Sequence, residues 1–116
     1  MITIFTDRFQ IDEEATRDHI DFLIENGASG IIPCGSTGEF PSIKPEERRR
    51  VIELAIDQVN GRVPVVAGTA STATDETVEM SKFAQDAGAD GVLIVPPYYY
   101  KSTDEEIYQH FKAVSE

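Results

Sequence analysis

Cysteine, histidine and tryptophan are scarce in this sequence of 116 residues, which has one cysteine, two histidines and no tryptophan. The single cysteine, Cys34, excludes an internal disulfide and is typical of proteins from a reducing compartment. His19 and His110 lie far from each other and from Cys34 along the chain, so a structural zinc site is not indicated. These absences predict a cytoplasmic protein without a bound metal.

Basic residues are also few: 10 lysines and arginines stand against 21 acids, which gives a net charge of −11. Binding of nucleic acid requires a basic patch. The only basic cluster, at residues 48–50, directly follows Glu46 and Glu47. We interpret this cluster as a solvated helix face whose arginines pair with nearby acids. The composition therefore argues against a nucleic-acid partner.

Long apolar segments are absent as well. The longest apolar run, GVLIVPP at residues 91–97, has the length of a strand and is too short to cross a membrane. The first residues, MITIFTDRF, lack the basic start and long apolar core of a signal peptide. Because linkers and low-complexity segments are also missing, residues 1–116 are predicted to form one globular domain without a membrane partner.

Strand-like and helix-like segments alternate along the chain. The predicted strands are short and almost continuously apolar, as in a parallel sheet covered by helices. The predicted helices show caps and apolar periodicity, and the last one begins with a capping box of Thr103 and Glu106. The predicted strands are ITIF (2–5), SGIIPC (29–34), VPVVAG (63–68) and GVLIVPP (91–97), and the predicted helices cover 12–26, 45–60, 75–87 and 103–116.

The resulting order, βαβαβαβα, predicts an α/β fold, either a barrel or an open doubly wound sheet. Two segments, ENGASGIIP (25–33) and DAGADGVLIVP (86–96), resemble each other and indicate repeated βα units. On the last helix we expect Ile107, Phe111 and Val114 to be buried, with His110 on the same side.

The loop after the second predicted strand combines two glycines with two hydroxyl residues. Gly35 and Gly38 bracket Ser36 and Thr37. In both architectures ligands bind where strands end, so backbone amides and hydroxyls here could hold a small carboxylate or phosphate. The stretch is not a phosphate-binding P-loop, because no lysine follows at the required place. A plain chain-reversing turn is the alternative that the spacing leaves open.

The stretches GSTGEF, PEERRRVIELA, VPVVAGT and VPPYYYK, in this order and spacing, resemble the dihydrodipicolinate synthase and N-acetylneuraminate lyase family. The resemblance runs from about Ile2 to the last residue and implies the N-terminal half, about four βα units, of a (β/α)8 TIM barrel. It implies a pyruvate-dependent lyase or aldolase, which forms or cleaves a carbon–carbon bond between pyruvate and an aldehyde through a Schiff base. No cofactor is implied, and the expected partners are a 2-oxo acid such as pyruvate and further copies of the chain in a homo-oligomer.

The resemblance also assigns roles to three residues. Ser36 and Thr37 match the residues that hold the carboxylate of pyruvate, and Ser36 in addition matches a member of a catalytic proton relay. Tyr99 matches the second tyrosine of the family's motif after the fourth strand, which enters that relay, commonly from a neighbouring subunit. The motifs do not separate dihydrodipicolinate synthases from sialic acid lyases or sugar-acid aldolases, so the aldehyde stays open.

The chain departs from the family pattern in two places. The family's Schiff-base lysine and main catalytic tyrosine belong to the sixth and fifth strands, which lie beyond the fourth helix, and Thr3-Ile4 stands where a Thr-Pro pair is usual. Of the four lysines, Lys44, Lys82, Lys101 and Lys112, only Lys101 follows a strand, and its polar loop offers nothing evident to depress its pKa. We therefore weigh two functions: a lyase of which this chain supplies the N-terminal half, and an inactive half-barrel that only binds or assembles.

Six other positions need an interpretation. Cys34, with no histidine near it in the sequence, is interpreted as a small packing residue rather than a nucleophile. His110 is interpreted as a packed or capped histidine and His19 as a helix-surface residue. The role of Glu39 stays open, as do those of Tyr98 and Tyr100.

Overall fold

The computed structural model describes all 116 residues and contains four helices, one short 3-10 turn and two short strands. The regular alternation of strands and helices begins at the third predicted strand, and the first two predicted strands contain only isolated bridges. The elements are α1 (Glu13–Glu25), the 3-10 turn (Phe40–Ser42), α2 (Pro45–Val59), β1 (Val66–Gly68), α3 (Thr74–Ala87), β2 (Gly91–Leu93) and α4 (Asp104–Ser115).

All four predicted helices are confirmed, because their caps and periodicity are local properties of the sequence. Asp12 caps α1 by accepting a hydrogen bond from the Ala15 amide at 3.0 Å. Thr103 and Glu106 form the predicted capping box at the start of α4. Gly88 ends α3 with φ +99°, a left-handed conformation that glycine adopts without strain.

The predicted parallel sheet is present, but its regular strands are shorter than expected. β1 and β2 pair in parallel with Val66 opposite Gly91 and Gly68 opposite Leu93. The second predicted strand adds one parallel bridge, Ile31 to Val65. It ends early because Pro33 has no amide hydrogen and the next residue turns to a left-handed φ of +56°.

The prediction of a first strand at residues 2–5 is wrong. Phe5 instead forms an antiparallel bridge with Ile11. The Thr6 amide donates to the Gln10 carbonyl at 2.8 Å, and the Thr6 hydroxyl accepts from the Gln10 amide. The Ile4 carbonyl also accepts from the Asp12 amide at 2.9 Å. The end of this segment thus pairs inside its own hairpin, which a propensity for strand does not reveal.

The core lies between the helices and the strands. Ile52, Ala55 and Val59 of α2 recur at helical spacing and are buried, and Ile56 beside them is half-buried. One buried cluster comprises Cys34, Phe40, Val51, Ile52, Ala67, Ala70, Met80 and Ala84, and the second comprises Ile20, Ile31, Ala55, Val59 and Val65. These clusters hold the strand ends in place, and therefore also the loops that follow them.

The face that α4 buries is less deeply covered than predicted, and one of its residues is exposed. His110 is buried, and Ile107 and Val114 are half-buried, but Phe111 is 38% exposed. The buried position is taken by His110, whose Nδ1 lies 2.9 Å from the Thr74 hydroxyl of α3. Phe111 packs edge-to-face against the His110 ring, with ring centres 5.7 Å apart. No helix is both long and apolar enough to span a membrane.

Candidate functional site

The loop after the first parallel bridge forms a compact turn, residues 34–40, which we call the hydroxyl turn. The Gly38 and Glu39 amides donate to the carbonyls of Gly35 and Ser36, each at 3.0 Å, and so close the turn. Cys34 and Glu39, near its two ends, have left-handed φ values of +56° and +58°. Such values are uncommon for residues other than glycine and are maintained only where surrounding contacts impose them.

Three consecutive amides of the hydroxyl turn, those of Gly35, Ser36 and Thr37, donate to no backbone carbonyl. The side chains of Ser36 and Thr37 are exposed at the tip of the turn, and neither hydroxyl has a hydrogen-bond partner within the chain. Successive unpaired amides form an anion-binding concavity. The two residues that the sequence predicted for carboxylate binding thus lie together in a setting suited to a small anion.

Two glycines allow the turn to lie against its neighbours. A Cβ at Gly68, the last residue of β1, would overlap the backbone carbonyl group of Cys34. A Cβ at Gly38 would lie 3.2 Å from the Met1 carbonyl oxygen and 3.3 Å from the Thr3 hydroxyl. The hydroxyl turn is therefore pressed against the end of β1 on one side and the N-terminal segment on the other.

A buried arginine lies beneath the turn. Arg48 of α2 is 6% exposed and donates from Nη2 to the Gly68 carbonyl at 2.9 Å. Its guanidinium carbon lies 5.4 Å from the centre of the Phe40 ring. Burial lowers the pKa of Arg48 from its ordinary value, but an arginine remains charged in proteins.

The interpretation of the basic cluster is therefore right for two arginines and wrong for the third. Arg49 pairs with Glu79, and Arg50 pairs with Glu13 at 2.6 Å. Arg48 is instead buried. The sequence held a signal for this position, because residue 48 precedes Ile52 by four residues and so lies on the same apolar face of the helix.

Tyr99 lies apart from the hydroxyl turn in the single chain. Its side chain is 77% exposed and contacts the Tyr100 ring edge-to-face at 5.0 Å. Together with Thr72 and Pro97 these tyrosines line a cavity of about 310 Å³, to which Ser36 and Thr37 do not contribute. The convergence of Tyr99 with the turn stays a prediction, and the exposed ring is available to a neighbouring subunit.

The two neighbouring tyrosines, whose roles the sequence left open, differ in their surroundings. Tyr98 packs edge-to-face on Phe40, with ring centres 6.0 Å apart, and so joins the tyrosine segment to the hydroxyl turn. Tyr100 is exposed beside Tyr99. Tyr98 thus has a packing role that its sequence position alone did not reveal.

The remaining candidates have no arrangement for covalent chemistry. Burial raises the pKa of the Cys34 thiol to about 11, which keeps it protonated at neutral pH. His110 is packed as predicted, while His19 is half-buried and burial lowers its pKa. Lys101 is exposed, and so is Glu39. No cluster of three or more histidine, cysteine or acidic side chains is arranged to hold a metal ion.

Comparison with known proteins resolves the choice between a barrel and an open sheet. The sequence profile of the dihydrodipicolinate synthetase family matches residues 1–116, the whole chain. The chain belongs to this family. The 4-hydroxy-tetrahydrodipicolinate synthase of Syntrophus aciditrophicus is 56% identical over 107 residues, which are 92% of this chain and 37% of that protein. The resemblance stated from the motifs is therefore confirmed.

Solved structures of the dihydrodipicolinate synthase family have the same fold. Dihydrodipicolinate synthase from Aquifex aeolicus superimposes with a TM-score of 0.96 at 43% identity, over 99% of this chain and 39% of that one. A prophage protein of the family from E. coli K12, solved in complex with pyruvate, gives 0.95 at 43% identity over 98% and 38%. The chain thus has the TIM-barrel fold of its relatives over their N-terminal part, and it spans about 40% of their length.

Proposed function

We propose that this chain supplies the pyruvate-binding N-terminal part of a dihydrodipicolinate synthase-like lyase. The observation that supports this most directly is the hydroxyl turn, which follows a parallel bridge and carries three unpaired amides and the two unpartnered hydroxyls of the exposed residues Ser36 and Thr37. Such donors suit a pyruvate carboxylate, because hydrogen bonds to a charged acceptor are stronger than those between neutral groups. A relative of the same fold has been solved with pyruvate bound.

In this proposal the chemistry is a Schiff-base reaction. A lysine amine adds to C2 of pyruvate and water leaves, which forms an imine. Loss of a proton from C3 converts this imine to an enamine, whose C3 attacks the carbonyl carbon of the aldehyde; cleavage of the carbon–carbon bond is the reverse of this step. Ser36 and Thr37 orient the carboxylate during this step. Ser36 also passes a proton, in relay with Tyr99 of a neighbouring subunit, and the exposure of Tyr99 is compatible with such an arrangement.

The lysine of this mechanism would come from outside residues 1–116. A Schiff-base lysine must be partly deprotonated, which requires burial or nearby cations. All four lysines of the chain, Lys44, Lys82, Lys101 and Lys112, are exposed. The same exposure favours the second candidate function, a half-barrel that binds a 2-oxo acid without forming a covalent bond to it.

Pyruvate binding by the turn can be tested on the chain itself. Titration of a ¹⁵N-labelled sample with pyruvate should shift the amide signals of Gly35, Ser36 and Thr37 more than those of other residues. Pyruvamide, which has the same shape but no carboxylate, is the matched control and should leave these signals in place. Equal shifts with both compounds, or no shift with pyruvate, would reject the carboxylate-binding role of the turn.

The two candidate functions differ in whether a lysine forms a covalent adduct with pyruvate. Sodium borohydride reduces an imine between pyruvate and lysine to a stable secondary amine, which adds mass to the protein. We expect the 116-residue chain to gain no mass under these conditions, because no lysine is buried. An adduct mapped to Lys101 would show that this chain contains its own nucleophile.

A further inference from the structure

Arg48 is a buried cation without an acidic partner. None of the salt bridges of the chain involves Arg48, although five other basic residues form such pairs. Its Nε is buried and has no hydrogen-bond partner. A buried charge is costly unless it is paired or well hydrogen-bonded. The presence of an arginine at this buried position is therefore not explained by a contribution to core stability.

The contacts of Arg48 join both ends of the hydroxyl turn to the end of β1. At one end of the turn, the Cys34 thiol donates to the Arg48 carbonyl at 3.7 Å. At the other end, the guanidinium lies over the Phe40 ring. Between them, Nη2 donates to the carbonyl of Gly68, whose own amide donates to the Pro33 carbonyl at 2.9 Å. One side chain and its carbonyl thus contact three separate parts of the site.

The hydroxyl turn needs such support because its conformation is strained. Cys34 and Glu39 both have left-handed φ values, which non-glycine residues keep only when their surroundings impose them. The turn is also held tightly against Gly68, where the Cys34 carbonyl leaves no room for a Cβ. Loss of the guanidinium would remove the bond that holds Gly68 and the ring contact that holds Phe40.

We propose that Arg48 is a positioning residue, which fixes the hydroxyl turn on the end of β1 and so presents the amides of residues 35–37 to the pyruvate carboxylate. This inference rests on the proposed function for the identity of the ligand, but the contacts by which Arg48 holds the turn do not depend on it. Through Phe40 and its edge contact with Tyr98, the same arginine also sets the position from which the segment of Tyr99 starts.

The accessibility of Cys34 reports whether Arg48 holds the turn closed, because Cys34 is the only thiol and it is buried. In the wild-type chain a thiol reagent should react with Cys34 only through global unfolding, so the labelling rate should rise steeply with urea. In Arg48→Met, which keeps the apolar stem but not the hydrogen bonds, labelling should be at least about tenfold faster and nearly independent of urea, as expected for local opening of the turn.

Val59→Ala is the matched control, because Val59 is buried on the same helix but belongs to the other core cluster. This variant should be less stable overall, and its labelling should keep the urea dependence of the wild type. If Arg48→Met behaves like Val59→Ala, with labelling that follows global stability, Arg48 is an ordinary structural residue and the inference is wrong. Should Arg48→Met fail to fold, the milder Arg48→Lys takes its place in the same comparison.

A second experiment measures the dissociation constant of pyruvate from the amide signals of residues 35–37. Arg48→Met should weaken binding at least about tenfold, the cost of misplacing a hydrogen bond to a charged group. Arg48→Lys keeps the charge but not the planar fork, so it should restore part of both the protection of Cys34 and the affinity. Full recovery of affinity with an open turn would show that Arg48 acts through its charge alone, against the inference.

The two proposals fail in different ways. If the wild-type chain binds no pyruvate, the proposed function is wrong, and the labelling of Cys34 still decides whether Arg48 holds the turn. If pyruvate binds and Arg48→Met leaves both the affinity and the urea dependence unchanged, the proposed function stands and the positioning role is rejected.

Discussion

At the scale of single residues, the Thr37 hydroxyl can be removed with little effect on the fold. Thr37 is exposed and its hydroxyl bonds to nothing in the chain, so Thr37→Val should change stability by no more than about 0.5 kcal/mol. It removes one donor to the carboxylate and should weaken pyruvate binding about tenfold, the effect of losing one hydrogen bond to a charged group. Calorimetric titration with pyruvate measures the change.

Thr72→Val provides the control for this substitution. Thr72 is also exposed, and it lies in the cavity of Tyr99 rather than in the hydroxyl turn. The Thr72→Val variant should therefore bind pyruvate with the affinity of the wild type. Equal affinity of Thr37→Val and the wild type would contradict the role of Thr37 as a carboxylate ligand.

Gly68 is the residue whose substitution should damage the site most. Because a Cβ there would overlap the Cys34 carbonyl group, Gly68→Ala should lower the free energy of unfolding by about 3 kcal/mol or prevent folding. Gly91→Ala is the control, since its Cβ would make ordinary contacts with Val66 at 3.8 Å. Urea denaturation compares the two, and similar losses would mean that the close approach at Gly68 is relaxed in solution.

Residue identities can suggest a site when the chemistry of the residue type is also its expected role, although the role of Ser36 and Thr37 in binding stays a prediction. Ser36 and Thr37 could be singled out because hydroxyls between glycines have few uses other than turns and anion binding. Arg48 is harder to recognise, since a charged residue in a charged cluster is expected at the surface, and its spacing of four residues from Ile52 is the one local sign of its burial. Its burial depends on Phe40 and Gly68, which are eight residues before it and twenty after it, and composition gives no sign of those contacts.

At the scale of secondary structure, helices could be predicted and strand lengths could not. The signals that set α4, Thr103 and Glu106, are three residues apart and act on each other directly. A strand is defined by a partner elsewhere in the chain, so its length depends on tertiary contacts. That is why Phe5 pairs with Ile11 in a local hairpin although its segment has the composition of a strand.

The capping box of α4 makes the stability of this helix dependent on pH. Hydrogen bonds from the Thr103 amide and hydroxyl lower the pKa of Glu106 below its ordinary value of 4.5. A carboxylate whose pKa is lower in the folded state stabilises it above the ordinary value and loses this effect as pH falls through the lowered pKa. We expect α4 to lose helicity below pH 4.5, as measured by circular dichroism and amide signals.

Glu106→Gln should reduce this pH dependence, because the amide oxygen can still accept the Thr103 bonds but does not titrate. Glu25→Gln changes an exposed glutamate of α1 and should leave the acid transition of α4 as it is. An identical transition in the wild type and in Glu106→Gln would show that another carboxyl controls the helix.

At the scale of the whole molecule, the fold leaves apolar surface uncovered. β2 pairs with β1 on one side only, and its residues Val92 and Leu93 are 38% and 42% exposed. Tyr99 and Tyr100 add an exposed aromatic patch after the same strand. Open strand edges invite pairing with another chain, and large exposed apolar patches are uncommon on monomers. The relatives of this family continue for more than half of their length beyond the matched part.

We therefore predict that the 116-residue chain is at least a dimer in dilute buffer, or else is poorly folded. Two copies related by a two-fold axis would pair or cover their β2 edges, which is the simplest closed arrangement. Sedimentation velocity at low micromolar concentration measures the mass. Val92→Lys places a charge on the open edge and should shift the protein towards monomer, whereas Phe22→Lys, at an exposed apolar residue of α1, should not. A compact monomer that unfolds cooperatively would contradict the prediction, because β2 would then be stable without a second partner strand.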